Sequence, residues 1–254
     1  MRLPLTLALA LFTATASAAS GIRLVNEAGL PAASIRQLQA DYEHWALKVY
    51  RYHHVVAPTP ARIVISRQVD IGYYLEPSVY LPVDEDPTEM LETFVHELAH
   101  HATGHESTFF FKEGIATHTA EALFAEQGQR IEGWPQYGIS TDAWVNLFLQ
   151  RGQLPPLRVL LEKSGYDGSS READFRSWQT YLIAASFIGW LIEHEGYDTF
   201  RNVFWEETLG ERHAEWERRW LASIRQQGLP PFDVAQALPQ TARYRDYARR
   251  LGIS

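Results

Sequence analysis

The sequence contains no cysteine and only two methionines, Met1 and Met90. Without cysteine the protein can form neither a disulfide nor a thiolate-ligated zinc site. A lipid anchor of the bacterial lipoprotein kind is excluded too, because it needs a cysteine at the cleavage point. Any metal site must therefore be built from histidine and carboxylate side chains.

The chain also lacks an excess of positive charge. Its 23 Lys and Arg residues are outnumbered by 31 Asp and Glu residues, which gives a net charge of −8. A nucleic-acid binder would normally show a basic patch and a high pI, so we expect no nucleic-acid partner. With 46% hydrophobic and 21% charged residues, the composition is that of a globular protein rather than a disordered one.

No hydrophobic run is long enough to cross a bilayer, which takes about 20 residues. The run from Tyr181 to Ile192 has twelve mostly apolar residues and favours a buried helix. The other run, Leu3 to Phe12, follows Arg2 and precedes the small residues at 16–18, a pattern typical of a secretory signal peptide. We predict a signal peptide at residues 1–18 and a periplasmic or secreted protein without stable membrane insertion. The alternatives for this segment are a buried N-terminal helix or a membrane anchor.

The remaining residues, 19–254, indicate a single α+β catalytic domain with two lobes. The lobe at about 30–103 is expected to combine a short sheet with helices, and the lobe at about 104–254 to be mostly helical. Hydrophobic periodicity predicts strands at 62–66 and 79–82 and helices at 32–52, 88–103, 109–127, 141–151, 172–195, 198–207 and 211–227. Pro82, which cannot donate a hydrogen bond, places the second strand at an edge or at the end of the sheet.

The helix at 88–103 carries the sequence His-Glu-Leu-Ala-His at 96–100. On a helix, residues four apart lie one above the other, so His96 and His100 can offer nitrogens to one metal ion. Glu97 lies about 100° around the helix, which suits it to hold a water on the metal rather than the metal itself. Five of the ten histidines fall between 96 and 118, which favours a metal site over a solvated helix that carries two histidines by chance.

A catalytic zinc site usually needs a third protein ligand. The metzincin motif would place a glycine at 103 and a histidine at 106, but these positions hold Thr103 and Glu106. Its Met-turn is also excluded, because no methionine follows the motif.

The alternative is a carboxylate from the next helix, and Glu113 provides one thirteen residues after His100. Small residues share its helical face, at Ala116, Thr117 and Ala120, which would allow a close approach to the histidine helix. His105 and His118 are the other candidates for the third ligand.

These residues resemble the gluzincin metallopeptidases, and among them the small bacterial "peptidase MA-like" group. That group combines His-Glu-Leu-x-His with a following Glu-Gly-x-Ala, which stands here at 113–116. The resemblance covers about 60–225 and is strongest at 96–116. The segment between His100 and Glu113 is shorter than in thermolysin-like enzymes, and Thr117 replaces their Asp that supports a zinc-bound histidine.

The resemblance implies a zincin fold and one catalytic Zn²⁺ per chain, held by His96, His100 and Glu113. It implies that Glu97 is the general base in the hydrolysis of a peptide or protein substrate. Tyr181 is our candidate donor to the oxyanion, against the alternative of a core aromatic residue. The strand at 78–82 is similar to the edge strand along which such enzymes bind an extended peptide. If Tyr181 is not the donor, His118, Tyr73 and Tyr74 are the remaining candidates.

Two other functions are compatible with the same residues. One is a non-catalytic binding protein that retains a zinc site, although such a site has no need of Glu97. The other is a zinc amidase acting on a non-peptide amide of the cell envelope. Imidazole and carboxylate ligands also accept other divalent metals, so zinc itself is an expectation.

Overall fold

The structure is a computed structural model that describes residues 21–56, 61–83, 86–104, 107–161 and 170–253. It is of the α+β class, as predicted. The chain divides after Thr103 into two compact units. The predicted signal peptide at 1–18 and the candidate ligand His105 lie outside the described residues.

The first unit is a four-stranded sheet with two helices. Its elements are β1 (Ile22–Asn26), α1 (Ala32–Tyr52), β2 (Ala61–Ser66), β3 (Tyr73–Leu75), β4 (Ser78–Pro82) and α2 (Pro87–Thr103). The strand order is β1-β2-β4-β3; β2 is parallel to both of its neighbours, and β3 is antiparallel to β4. α1 packs against α2 and β1, and α2 packs against β4 and β3.

The sequence explains the central position of β2. Ile63, Val64 and Ile65 are consecutive and buried, which is the pattern of a strand covered on both faces. A strand with one solvated face would instead alternate apolar and polar residues.

The expectation that the strand at 78–82 forms the sheet edge is wrong. β4 lies between β2 and β3, and β3 pairs with residues 78–80. Among the described strands β3 is the edge strand on this side. Pro82 stands at the end of β4, beyond the part that β3 pairs with, so its missing N–H breaks no bond to β3.

The second unit is helical. Its helices are α3 (Phe109–Ala125), α4 (Thr141–Gln150), α5 (Leu157–Leu161), α6 (Arg171–Glu195), α7 (Tyr197–Glu206), α8 (His213–Gln226), α9 (Val234–Ala237) and α10 (Ala242–Arg250). The predicted helices are confirmed to within two residues, except that a 3₁₀ turn at Gly210–Arg212 precedes α8. The short elements β1, β3 and α5 were not predicted.

α3 and α6 form the principal contact of the helical unit. The apolar run 181–192 lies within α6 and most of its residues are buried, as expected. No helix in the described part of the chain is both long enough and apolar enough to cross a membrane. α6 therefore serves as the buried centre of this unit.

Candidate metal centre

The His-Glu-Leu-Ala-His segment lies in the second half of α2, as predicted. The apolar side chains Phe94, Val95 and Leu98 are fully buried and hold this part of the helix against the first unit. Burial of one apolar face fixes the direction in which the other face points. The two histidines are thus carried by a rigid element rather than by a loop.

The side chains of the motif lie close together. The rings of His96 and His100 are 4.9 Å apart between centroids and nearly perpendicular. One nitrogen from each ring and one Glu97 carboxylate oxygen all lie within 4.8 Å of one another. Two nitrogens that bind one zinc tetrahedrally at about 2.0–2.1 Å are about 3.4 Å apart, which is compatible with this limit. The donor set and its spacing fit a metal ion.

Burial distinguishes the three residues of the motif. Glu97 is 8% exposed and His100 6% exposed, whereas His96 is only partly buried. A buried carboxylate that is not neutralised costs free energy. A bound cation next to Glu97 would offset that cost.

The structure adds His101 and Tyr74 to the surroundings of the motif, and sequence reasoning did not single out His101. The Tyr74 hydroxyl and the Nδ1 atom of His101 are 3.3 Å apart, which joins β3 to α2. The ring of Tyr50, on α1, also contacts the His101 ring edge-on, with 6.2 Å between the ring centroids. The edge strand and the first helix therefore both fix the residue directly after His100. The pair of consecutive histidines, His100 and His101, was the only sequence signal for it.

Glu92 is a second residue that the sequence reasoning missed. It lies one turn before His96 on α2 and is 5% exposed. Residues four apart share a helical face, and metal-binding histidines usually donate their second N–H to an oxygen acceptor. A buried acid at this position is a candidate for that acceptor.

Glu113, the predicted third ligand, lies in the first turns of α3 in the second unit and is buried. The following glycine brings α3 against α6, because a Cβ at Gly114 would lie 2.7 Å from Ala184 Cβ. The hydroxyl of Thr117, one turn further on, is buried and has no hydrogen-bond partner among the described residues. That Glu113 joins the two histidines stays a prediction.

The two other candidates in the second unit occupy different positions. Tyr181, on α6, is partly buried, and its ring contacts Phe109 at 5.2 Å and Trp134 at 4.3 Å, both edge-on. Its role as an oxyanion donor stays a prediction. His118 lies five residues after Glu113, about 140° around the helix, and therefore belongs to another face of α3. Burial lowers the pKa of His118 to about 4, so it is neutral at pH 7.

Comparison of the chain with protein-family models, with curated proteins and with solved structures gave no match. The interpretation of the site therefore depends on the residues themselves and on their geometry.

Proposed function

We propose that the protein is an exported zinc-dependent hydrolase of the gluzincin kind that cleaves peptide bonds. The observation that carries this proposal is the cluster of two imidazole nitrogens and one carboxylate oxygen on α2. Histidines four residues apart supply two ligands, and the carboxylate between them is placed to act on a water molecule. The buried Glu113 is the proposed third ligand.

Each residue has a defined task in this proposal. His96, His100 and Glu113 would hold the zinc ion, which would act as a Lewis acid and lower the pKa of the attacking water. Glu97 accepts a proton from the attacking water and delivers it to the leaving amine. Tyr181 donates a hydrogen bond to the oxygen that becomes negatively charged.

The edge strand β3 is the proposed binding site for an extended substrate. It packs against α2 and is linked to it through Tyr74 and His101. On it the side chains of Tyr73 and Leu75 are 40% and 63% exposed, and Ile71, two residues before the strand, is 72% exposed. A peptide can add to such an edge through its backbone while its side chains meet the alternate residues of the strand. This assignment replaces β4, whose edge is covered.

The proposal is tested by zinc content and by hydrolysis of a mixed peptide library. The mature chain is expected to bind one zinc ion, and a chelator should abolish hydrolysis until zinc is restored. Zinc binding without hydrolysis of any peptide would favour a binding protein or an amidase over a peptidase.

The choice of third ligand has its own test. Glu113→Ala is expected to weaken zinc binding far more than His118→Ala or His105→Ala, measured by competition with a chromogenic chelator. Retained zinc in folded Glu113→Ala together with lost zinc in His105→Ala would show that the gluzincin assignment is wrong.

A further inference from the structure

The helical unit contains a second polar site, a cavity of about 340 Å³ among α3, α4, α6 and α8. Small-molecule sites commonly have volumes of about 300–1,000 Å³ and are often built between facing helices. The lining includes none of His96, Glu97, His100, Glu113 or Tyr181. The cavity is therefore distinct from the residues of the proposed metal centre.

Small residues on two helices create the space. Ala122 lines it from α3, and Ala185 and Gly189 line it from α6. At Gly189 a Cβ would lie 2.6 Å from Cε1 and 2.7 Å from Nδ1 of the His118 ring. Only glycine at this position lets the imidazole lie against α6 and form part of the wall.

Two carboxylates in the lining are fixed by neutral donors. Glu121 accepts hydrogen bonds from the backbone N–H and the hydroxyl of Thr141, at 2.9 and 2.6 Å. Asp142 accepts from the Ser186 hydroxyl at 2.5 Å and from the Gln227 side-chain amide at 2.6 Å. Within the part of the chain that the structure describes, neither acid forms an ion pair with a basic side chain.

The charged side chains that line the cavity, among the described residues, are all acidic. Among the described residues that line it there are three acids, Glu121, Asp142 and Glu193, and neither lysine nor arginine. His118, the remaining titratable group of the lining, is neutral at pH 7 because burial lowers its pKa to about 4. Burial, together with the neighbouring Asp142 charge, raises the pKa of Glu121 to about 7, although the hydrogen bonds from Thr141 act in the opposite direction. A ligand with a positive charge would relieve this uncompensated negative potential.

The geometry favours an organic cation over a metal ion. Within the described residues, the histidine and acid side chains that bring three ligand atoms within 4.8 Å of one another are those of the α2 cluster. The three acids of the cavity do not form such a group. The lining contains alkyl side chains, from Ala122, Ala185 and Ile224, as well as hydroxyl groups, from Ser140 and Ser223.

We propose that this cavity binds a small organic amine, with its ammonium group at the Glu121 and Asp142 carboxylates and its alkyl chain against the alanines. A primary ammonium has three donors and no acceptor, which matches a lining rich in carboxylate and hydroxyl oxygens. Hydrogen bonds between charged groups are stronger than neutral ones, and more so away from bulk water. The proposal is independent of the metal centre.

The test is calorimetric titration of the mature chain with three probes of similar shape: 1,4-diaminobutane, the neutral 1,4-butanediol and the anionic succinate. We expect saturable binding of the diamine alone. Binding should also release protons near pH 7, as Glu121 ionises beside the ammonium, so the heat should depend on the ionisation enthalpy of the buffer. Binding of the diol or succinate as tight as that of the diamine, or no saturation at millimolar diamine, would overturn the proposal.

Two substitutions test whether the diamine binds in this cavity. Glu121→Gln keeps the size of the side chain and is expected to weaken diamine binding at least about tenfold. Ala122→Leu fills the cavity and is expected to abolish binding. Glu126→Gln, which removes an exposed acid at the end of the same helix, serves as the control and should bind like the parent. Parent-like diamine affinity in either cavity variant, with an unchanged circular dichroism spectrum, would contradict this location.

Discussion

Replacement of Glu121 by glutamine should change how the stability of the protein depends on pH. In the folded protein, burial raises the pKa of Glu121 from 4.5 to about 7, so the folded state holds this proton more tightly than the unfolded state. The stabilisation is complete below the unfolded pKa and is lost as pH rises through the folded pKa. Glutamine cannot ionise, yet it can still bond to Thr141.

The magnitude follows from the two pKa values. Each pH unit between them costs the folded protein about 1.36 kcal/mol. Between pH 5 and pH 8 the contribution of Glu121 should therefore fall by at most about 2.5 kcal/mol. His118 acts in the opposite direction: its pKa is lowered from 6.5 to about 4, so its contribution rises with pH up to about 6.5. Comparison of the variant with the parent cancels the histidine and isolates Glu121.

Urea unfolding, followed by tryptophan fluorescence at pH 5, 6, 7 and 8, measures the difference. The difference in free energy of unfolding between Glu121→Gln and the parent should shift in favour of the variant as pH rises. The free energy of unfolding of the control Glu126→Gln should depend on pH in the same way as that of the parent. A Glu121→Gln curve that also runs parallel to that of the parent would show that Glu121 is not a buried acid of raised pKa, and the reasoning about the cavity charge would be wrong.

Three other substitutions test other parts of the structure. Gly114→Ala should lower the free energy of unfolding by up to about 2 kcal/mol. Overpacking against α6 costs about 1–3 kcal/mol, and the higher helix propensity of alanine offsets about 1 kcal/mol of that cost. Greater stability of the variant in urea would contradict the close contact between α3 and α6. Tyr181→Phe should lower kcat by a factor of about 10²–10³ with little change in KM or zinc content. A kcat within about threefold of that of the parent, which corresponds to a change of ~0.7 kcal/mol in the activation free energy, together with a lower Tm, would assign Tyr181 to packing. Leu75→Ser should raise KM for apolar peptides while kcat changes little, and an unchanged KM would remove β3 from the substrate site.

The long helices could be predicted because their signals are local and repeat many times. α1 begins at Ala32 and ends at Tyr52, as its apolar periodicity indicated. β2 was predicted to within one residue because its buried run is continuous. In α1 one buried face dictates the residue pattern over several turns, and in β2 the burial of both faces gives a continuous apolar run.

The short strands could not be predicted, and this changed the interpretation of the sheet. β3 has only three residues and two of them are exposed, so it lacks a buried face that would leave a pattern. Its pairing with β4 depends on a two-residue connection and on tertiary contacts. Without β3, residues 78–82 were wrongly taken as the edge.

The candidate site also has one part that a local sequence pattern encodes and another that depends on tertiary contacts. The grouping of His96, Glu97 and His100 is a property of any helix with this spacing, so five residues of sequence were enough to predict it. The contact between Tyr74 and His101 joins residues far apart in the chain, and no local pattern encodes it. The amine cavity depends on four helices and was missed for the same reason.

The central claim is that α2 carries a catalytic zinc site in which Glu97 is the base and not a ligand. The most direct test is the turnover of a peptide library by Glu97→Gln and by the parent, each measured at the same bound zinc per chain. We predict equal zinc occupancy and nearly complete loss of hydrolysis in the variant. Hydrolysis at close to the parent rate by a folded, zinc-loaded Glu97→Gln protein would contradict the claim.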